Sequence, residues 1–319
     1  MRGLISTAHI NPSYKPMPTM TTTVIHKLVV IGVGLIGGSF ALALREAGRV
    51  QHITGIGRSR ENMRRALALG EIDEIADNIE SALKDAELVF LAVPVGQTGE
   101  IMAQISAYLA PSTIVTDAGS TKQEVVAAAR SHLAPHLKNF VPGHPVAGAE
   151  RSGAGAANAD LFRGKNVVLT PLEETSREAT QKVTELWEAC GARISRMSAN
   201  RHDEILAAVS HLPHVLAFAL MNHVVSAGAD GSNDAHDNDL LRFAGSGFRD
   251  STRIAGSSPE MWRDICLGNR KALLNQIDAY QKELTVMREM LSDGDGDALE
   301  RLFARARNAR EHWLKSLPG

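Results

Sequence analysis

The stretch Lys27-Leu28-Val29-Val30-Ile31-Gly32-Val33-Gly34-Leu35-Ile36-Gly37-Gly38-Ser39 decides the fold. A short apolar, β-branched run reads as a buried strand, and the GxGxxG that follows opens directly into an apolar helical pattern that runs through Ala47 and stops at Gly48. In that setting Gly32 makes the tight turn, Gly34 lets backbone approach a pyrophosphate, and Gly37 lets helix and strand pack closely. The helix start, at Leu35 and Ile36, supplies unpaired N–H donors and the positive end of the helix dipole for phosphates.

Outward from this loop, strand-like runs alternate with helical patterns as far as about Met197. They are Leu28–Ile31, Ile53–Ile56, Leu88–Val93, Thr113–Thr116, Asn139–Val141, Val167–Thr170 and Arg193–Met197. Such alternation is the rhythm of βαβ units and a parallel sheet. Beyond Ala199 no strand-like run appears, and apolar residues recur at helical spacing through Ile205, Val209, Leu212, Leu216 and Leu220. The expected fold is therefore an α/β Rossmann-type dinucleotide-binding domain over residues 27–198, followed by an all-α domain over residues 199–319. Residues 1–26 hold no acid, three prolines and the cluster Thr21-Thr22-Thr23, a composition expected to stay disordered as a leader. Gly/Asp-rich breaks at Ala227–Asp239 and Ser292–Asp297 read as turns between helices. The second lacks the bidentate Glu that a calcium loop needs at its twelfth position.

Composition excludes several function classes. With 34 Lys+Arg against 36 Asp+Glu the formal charge is −2, and the charges alternate in sign along helices, so no nucleic-acid partner is expected. No run approaches the roughly 18 apolar residues of a membrane span, so no membrane association is expected either. Cys190 and Cys266 stand far apart in neither a CxxC nor a zinc spacing, which points to a reducing cytoplasm and to no metal.

An acid about 20 residues beyond the glycine loop normally reads the adenosine ribose. Here the second strand ends in Gly57-Arg58-Ser59-Arg60. With no carboxylate to bind a 2′-hydroxyl, and with guanidinium and hydroxyl groups to receive a 2′-phosphate, the site is expected to accept NADP as well as NAD. The alternative is that these arginines are solvated residues opening the next helix.

Four later segments are dense in polar residues beside glycines: Asp117–Lys122, Gly143–Glu150, Ser210–His214 and Gly247–Ala255. The first two follow strands, which places Ser120 and His144 at the carboxyl edge of the sheet, near the nicotinamide end. An imidazole titrates near neutrality and suits removal of a hydroxyl proton as hydride leaves the same carbon. His211 and His214, three apart, share a helix face, with Pro213 expected to kink that helix. They read either as hydrogen-bonding groups for a ligand or as a plain core pair. Arg249 and Arg253, four apart, could form a fork for a carboxylate, or Arg249 could pair on the surface with Asp250.

Taken together, these residues resemble the prephenate dehydrogenase family, including its arogenate and cyclohexadienyl members. The pieces that carry the resemblance are GxGLIGGS at Gly32–Ser39, Leu91-Ala-Val93-Pro94, Asp117-x-Gly-Ser120-x-Lys122, Gly143-His-Pro-x-Ala-Gly-x-Glu150, His211-Leu-Pro-His214, and Phe248-Arg-Asp-x-Thr-Arg-Ile254 with Met261-Trp262-Arg-Asp264. The resemblance implies a homodimer through the helical domain, with the active site in the cleft between the domains. It implies NAD(P)-dependent oxidative decarboxylation of prephenate to 4-hydroxyphenylpyruvate, or of arogenate to tyrosine. It implies further that His144 is the catalytic histidine bonding the ring hydroxyl, that Ser120 orients it, and that Arg253 binds a substrate carboxylate. His211 and His214 would line the pocket, with Glu150, Arg249 and Trp262 about its mouth, and Val93 and Pro94 beside the cofactor. Because only the leader precedes the first strand and the helices use the chain to its end, the expectation is the dehydrogenase without the fused mutase or regulatory domain that some members carry. Competing readings are another dehydrogenase of hydroxy acids with a helical second domain, or a dinucleotide sensor that binds without turnover.

Overall fold

The computed structural model describes residues 23–148, 153–228 and 239–316. The strands are β1 Ile25–Ile31, β2 Val50–Ile56, β3 Glu74–Ile75, β4 Leu88–Leu91, β5 Ile114–Asp117, β6 Phe140–Val141, β7 Gly143–Pro145, β8 Asn166–Leu169 and β9 Arg193–Arg196. The helices of the first half are α1 Leu35–Glu46, α2 Arg60–Ala68, α3 Ile79–Leu83, α4 Thr98–Ile105, α5 Gln123–His132 and α6 Arg177–Ala189. Those of the second are α7 Ala199–Leu206, α8 Leu212–Ala227, α9 Asp239–Arg242, α10 Ser246–Thr252, α11 Pro259–Gly268, α12 Arg270–Asp293 and α13 Gly296–Ser316. β1 starts two residues before the expected boundary at Lys27, because Ile25 pairs with Val50 and is buried. Residues 1–22 of the expected leader lie outside the described residues.

Six strands form one parallel sheet in the order β3-β2-β1-β4-β5-β6. The order reverses between β1 and β4, and in open α/β sheets that switch point is where the crevice for a ligand opens. Both faces of the sheet are covered, so its strands are apolar on both sides. Leu28 and Val30 face α1 and α6, where Phe40, Phe90 and Trp187 pack with ring centroids 4.4–5.7 Å apart. Val29, Ile31, Val89 and Leu91 face the other way, onto Met102, Ile105 and Leu133. Serine and asparagine caps start several helices, with Ser59 accepting from Asn62 N, Ser176 from Ala179 N and Ser198 from Arg201 N.

Two features depart from the sequence expectation. β8 and β9 do not extend the parallel sheet; they form a second, three-stranded sheet with β7. The segment around His144, expected only to follow a strand, is itself the strand β7, and His144 pairs antiparallel with Val168. The Gly-His-Pro sequence has no alternation to announce a strand; its pairing comes from the partner strand.

In the helical half, a π-helical turn at Ala207–His211 separates α7 from α8. Pro213 lies in the first turn of α8, where its missing N–H costs nothing, so the irregularity falls before the proline and not at it. Read through this turn, Ala199–Ala227 contains an 18-residue window of mean hydropathy 1.5, long and apolar enough to cross a membrane by composition, and that window is 22% buried inside the chain. This corrects the expectation that no segment passes such a test. The same helical run carries the buried polar groups His202, Asp203 and His211 into the site. α12 ends at Gly294 with φ +67°, a left-handed cap that glycine adopts without strain, so the Ser292–Asp297 break is a turn into α13.

Candidate active site

The glycine loop after β1 has the build of a phosphate cradle. Gly32 has φ +100°, and a Cβ there would lie 2.4 Å from the Ala92 carbonyl oxygen; at Gly37 it would lie 2.2 Å from the Gly32 oxygen. Neither position admits a side chain. At Gly34 an added Cβ would meet nothing within 4 Å, so the loop leaves open space on the side from which a ligand approaches. Gly34 caps α1 with no side-chain hydrogen bond, leaving the first N–H groups of the helix at Leu35, Ile36 and Gly37 for an anion. These residues fit a dinucleotide pyrophosphate. Val93, from the loop after β4, packs beside Gly32, and Pro94 precedes the short turn Val95–Gln97. Asn62 fastens the cradle: its Nδ2 donates to the Val33 oxygen at 2.6 Å and its Oδ1 accepts from Ala154 N at 2.7 Å. Arg58 and Ser59 stand exposed at the end of β2, with the Ser59 hydroxyl engaged in capping α2.

Beside the carboxyl ends of β4 and β5 lies a buried polar cluster. Lys122 is wholly buried; its Nζ bonds the Asp117 carboxylate and donates to the Gly143 oxygen at 2.7 Å. Asp117 in turn accepts from Gly119 N at 2.8 Å and Gly143 N at 3.0 Å. This pair ties the end of β5 to the start of β7 and so fixes His144. Burial pulls the Lys122 ammonium down from its ordinary value, against the pull of Asp117. The half-buried Ser120 sits between these two anchors in the chain.

His144 Nδ1 lies 2.8 Å from His202 Nε2, and His202 Nδ1 lies 2.7 Å from Asp203 Oδ1. Asp203 also accepts from Lys122 N at 2.8 Å and Gln123 N at 2.9 Å, the start of α5. Burial, followed by the neighbouring His202, Lys122 and His211, pushes His144 well below 6.5, so its ring is neutral at pH 7. Burial works to raise the Asp203 carboxyl, and bonds from His202, Gln123 and Lys122 outweigh it to hold it below the usual carboxylate range.

His211 and His214 follow from the π turn. His211 is buried, its Nδ1 3.1 Å from Asn269 Nδ2, and burial brings it to about 4 despite the opposing Asp203. His214 stacks on Trp262 with centroids 3.6 Å apart at 20°, and its Nδ1 lies 2.9 Å from the Ser210 oxygen. Burial and, less strongly, the Arg253 charge hold His214 below its ordinary value, against the Ser210 bond, and the turn Arg253–Gly256 packs on α8. Trp262 is buried, with its indole N–H lacking a partner among the described residues.

The structure thus brings together His144, His211, His214, Trp262 and Arg253. It does not bring in Arg249, whose side chain is 81% exposed with its Nε 4.0 Å from Asp250 Oδ1. Glu150 lies outside the described residues. Sequence reading missed His202, Asp203 and Asn269. A signal existed in the spacing Asp203, Ala207, His211, which places an acid and a histidine on one helical face. Among the described residues no three His, Cys, Asp or Glu side chains converge as a metal site.

A parallel sheet with an open glycine cradle at its switch point, joined to helices that bring histidines to the same edge, defines a two-domain dinucleotide-dependent oxidoreductase. Residues 40–196 match the family model described as prephenate dehydrogenase, nucleotide-binding domain, and residues 198–305 match the one described as prephenate dehydrogenase, dimerization domain. The chain is 36% identical to the cyclohexadienyl dehydrogenase of Zymomonas mobilis, over 90% of this chain and 96% of that one. It is 37% identical to the prephenate dehydrogenase of Bacillus subtilis, over 89% of this chain and 75% of that one. Among solved structures it resembles prephenate dehydrogenase from Aquifex aeolicus in complex with hydroxyphenyl propionate and NAD+, with a TM-score of 0.83 and 34% identity over 90% of this chain and 98% of that one. The chain belongs to the prephenate dehydrogenase family and is an enzyme.

Proposed function

We propose that the enzyme catalyses NAD(P)-dependent oxidative decarboxylation of prephenate to 4-hydroxyphenylpyruvate, or of arogenate to tyrosine, in tyrosine biosynthesis. The observation that carries this reading, within the family assignment, is a neutral buried histidine, His144, held beside the end of the sheet next to an open phosphate cradle. When bound, the oxidised nicotinamide supplies the hydride acceptor that lets the ring lose its carboxylate as carbon dioxide and become aromatic. His144 takes the ring hydroxyl proton, and its depressed affinity for protons keeps it in the basic form needed at neutral pH. Ser120 orients that hydroxyl. Arg253, beside His214, binds a substrate carboxylate, while His211, His214 and Trp262 line the pocket.

Arg58 and Ser59, in place of an acid, extend cofactor use to NADP. The exposed apolar side of the helical half pairs two copies into a homodimer, which accounts for its composition without a membrane, and the enzyme works in the cytoplasm. The test is a comparison of kcat/KM for prephenate and arogenate, each with NAD and NADP, followed by the absorbance of the reduced cofactor. Turnover of at least one acid is expected, with NADP used at a rate comparable to NAD. No reduced cofactor from either acid would overturn the reading and leave a dinucleotide-binding sensor.

A further inference from the structure

The hydrogen bonds behind His144 form a directed chain. The Asp203 carboxylate has only acceptor positions, and three N–H groups converge on it: Lys122 N, Gln123 N and His202 Nδ1. His202 must therefore carry its proton on Nδ1, and in the neutral ring its Nε2 is bare and can only accept. The partner 2.8 Å away, His144 Nδ1, must then be the N–H donor, which leaves His144 Nε2 bare. The chain is closed from solvent: His202 and Asp203 are both fully buried. Asn269 Nδ2 holds the backbone below it by donating to the Asp203 oxygen at 2.7 Å.

The geometry points to His202 and Asp203 as positioning residues that set the tautomer of His144 and carry its proton during the reaction. This inference rests on the function proposed above. As the substrate hydroxyl gives its proton to His144 Nε2, the proton on His144 Nδ1 passes to His202 Nε2. At His144 one N–H bond forms and one breaks, so that ring ends neutral in the opposite tautomer; at His202 an N–H bond forms at Nε2 while Nδ1–H is kept, so the positive charge comes to rest on His202. There it faces the Asp203 carboxylate at 2.7 Å and is removed from the substrate site, where Lys122 also disfavours a cation on His144. After product leaves, the proton returns through the same two bonds and departs to water from His144 Nε2. The charged and titratable groups facing the pair are Lys122 and Glu124 from the start of α5, His144 from β7 and His211 from the π turn.

Two measurements on the full chain test this. In protein labelled with ¹⁵N histidine, His144 is expected as the Nδ1–H tautomer at pH 7; an Nε2–H tautomer in the unsubstituted enzyme would overturn the proposal with no variant needed. His202→Phe removes acceptor and relay together and is expected to lower kcat by about 10²- to 10⁴-fold with KM for the substrate within about threefold. His202→Gln restores an acceptor for His144 Nδ1 without a proton-carrying ring, and is expected to recover about tenfold of that loss while keeping the His144 tautomer. Turnover by His202→Phe within about threefold of the unsubstituted enzyme would sink the relay. If the unsubstituted enzyme turned over neither acid, the proposed function would fall, and the tautomer measurement would still decide the hydrogen-bond chain.

Discussion

The two halves of this chain bury their apolar residues in opposite ways. In the first, β1 and β4 are sealed on both faces, with Leu28, Val29, Val30, Val89 and Phe90 fully buried by helices of the same chain. In the second, α12 buries only Leu273 among its 24 residues and α13 buries none. Tyr280, Leu284, Val286, Leu291, Phe303 and Trp313 stand exposed there. An unburied side chain of that size forgoes about 1.5–3 kcal/mol each, and a contiguous patch of them marks an interaction surface. The contrast separates two tasks: the first half completes its own core around the cradle, while the second, a match to a dimerization domain, leaves an apolar face uncovered among the described residues. The histidine cluster lies where the two meet, with α7 packed on α5 and α11 on the turn after β4.

The largest effect is expected at that meeting point. His144→Asn keeps a ring-sized polar group but no base, and should lower kcat by about 10²- to 10⁴-fold with a modest change in substrate KM. Unchanged turnover would remove His144 from the chemistry. Next comes the exposed face of the second half. Leu284→Asp with Phe303→Asp should raise the dissociation constant of the dimer by about 30- to 1,000-fold, the range for charged substitutions at interface hot spots. Sedimentation at several concentrations checks this, and a dimer of unaltered strength would mean that the patch serves another partner.

Within the first half, two glycines of one loop should behave differently. Gly37→Ala drives a Cβ to 2.2 Å from a backbone oxygen that no rotamer can relieve, and should cost about 1–3 kcal/mol of stability in denaturant titration. Gly34→Ala meets nothing in the chain and should change stability by less than about 1 kcal/mol while raising KM for the cofactor. Equal stability losses would mean that the cradle is not shaped as described. From the second half, Arg253→Ala should raise substrate KM by about 10- to 100-fold with little change in kcat, since a charge-assisted contact serves ground and transition states alike. A constant KM would place the carboxylate site elsewhere.

How far the sequence could be read follows the same division. Lys27–Ser39 announces the first half because strand, glycine spacing and helix agree locally, and Arg193–Met197 and Val167–Thr170 announce strands of their own. Their assignment to a separate sheet was not legible, since strand pairing depends on partners far along the chain. The two-residue β3 and the Gly-His-Pro of β7 carry no periodicity at all. His211, His214 and Arg253 could be picked out by residue type and spacing. For His202 and Asp203 the spacing Asp203, Ala207, His211 is a faint signal, masked because Asn200, Arg201 and Glu204 around them look like one solvated helix face; the packing of α7 on α5 turns the pair inward.

The smallest expected effect is an acid sensitivity of the meeting point. His211 titrates at about 4 in the folded protein against an ordinary value near 6.5, because burial disfavours its cation. Between those values the unfolded chain binds a proton that the folded chain refuses, so stability is present above about pH 6.5 and is lost as pH falls toward 4. His144 is depressed in the same direction and adds to the loss. For the buried His211 the loss should amount to on the order of 2 kcal/mol. His211→Gln can still accept from Asn269 and cannot charge, so its denaturation midpoint should fall less between pH 7 and pH 4.5 than that of the unsubstituted enzyme. Parallel losses in the two proteins would assign the acid sensitivity to carboxylates elsewhere, and the helical half would then meet the sheet through packing that pH leaves untouched.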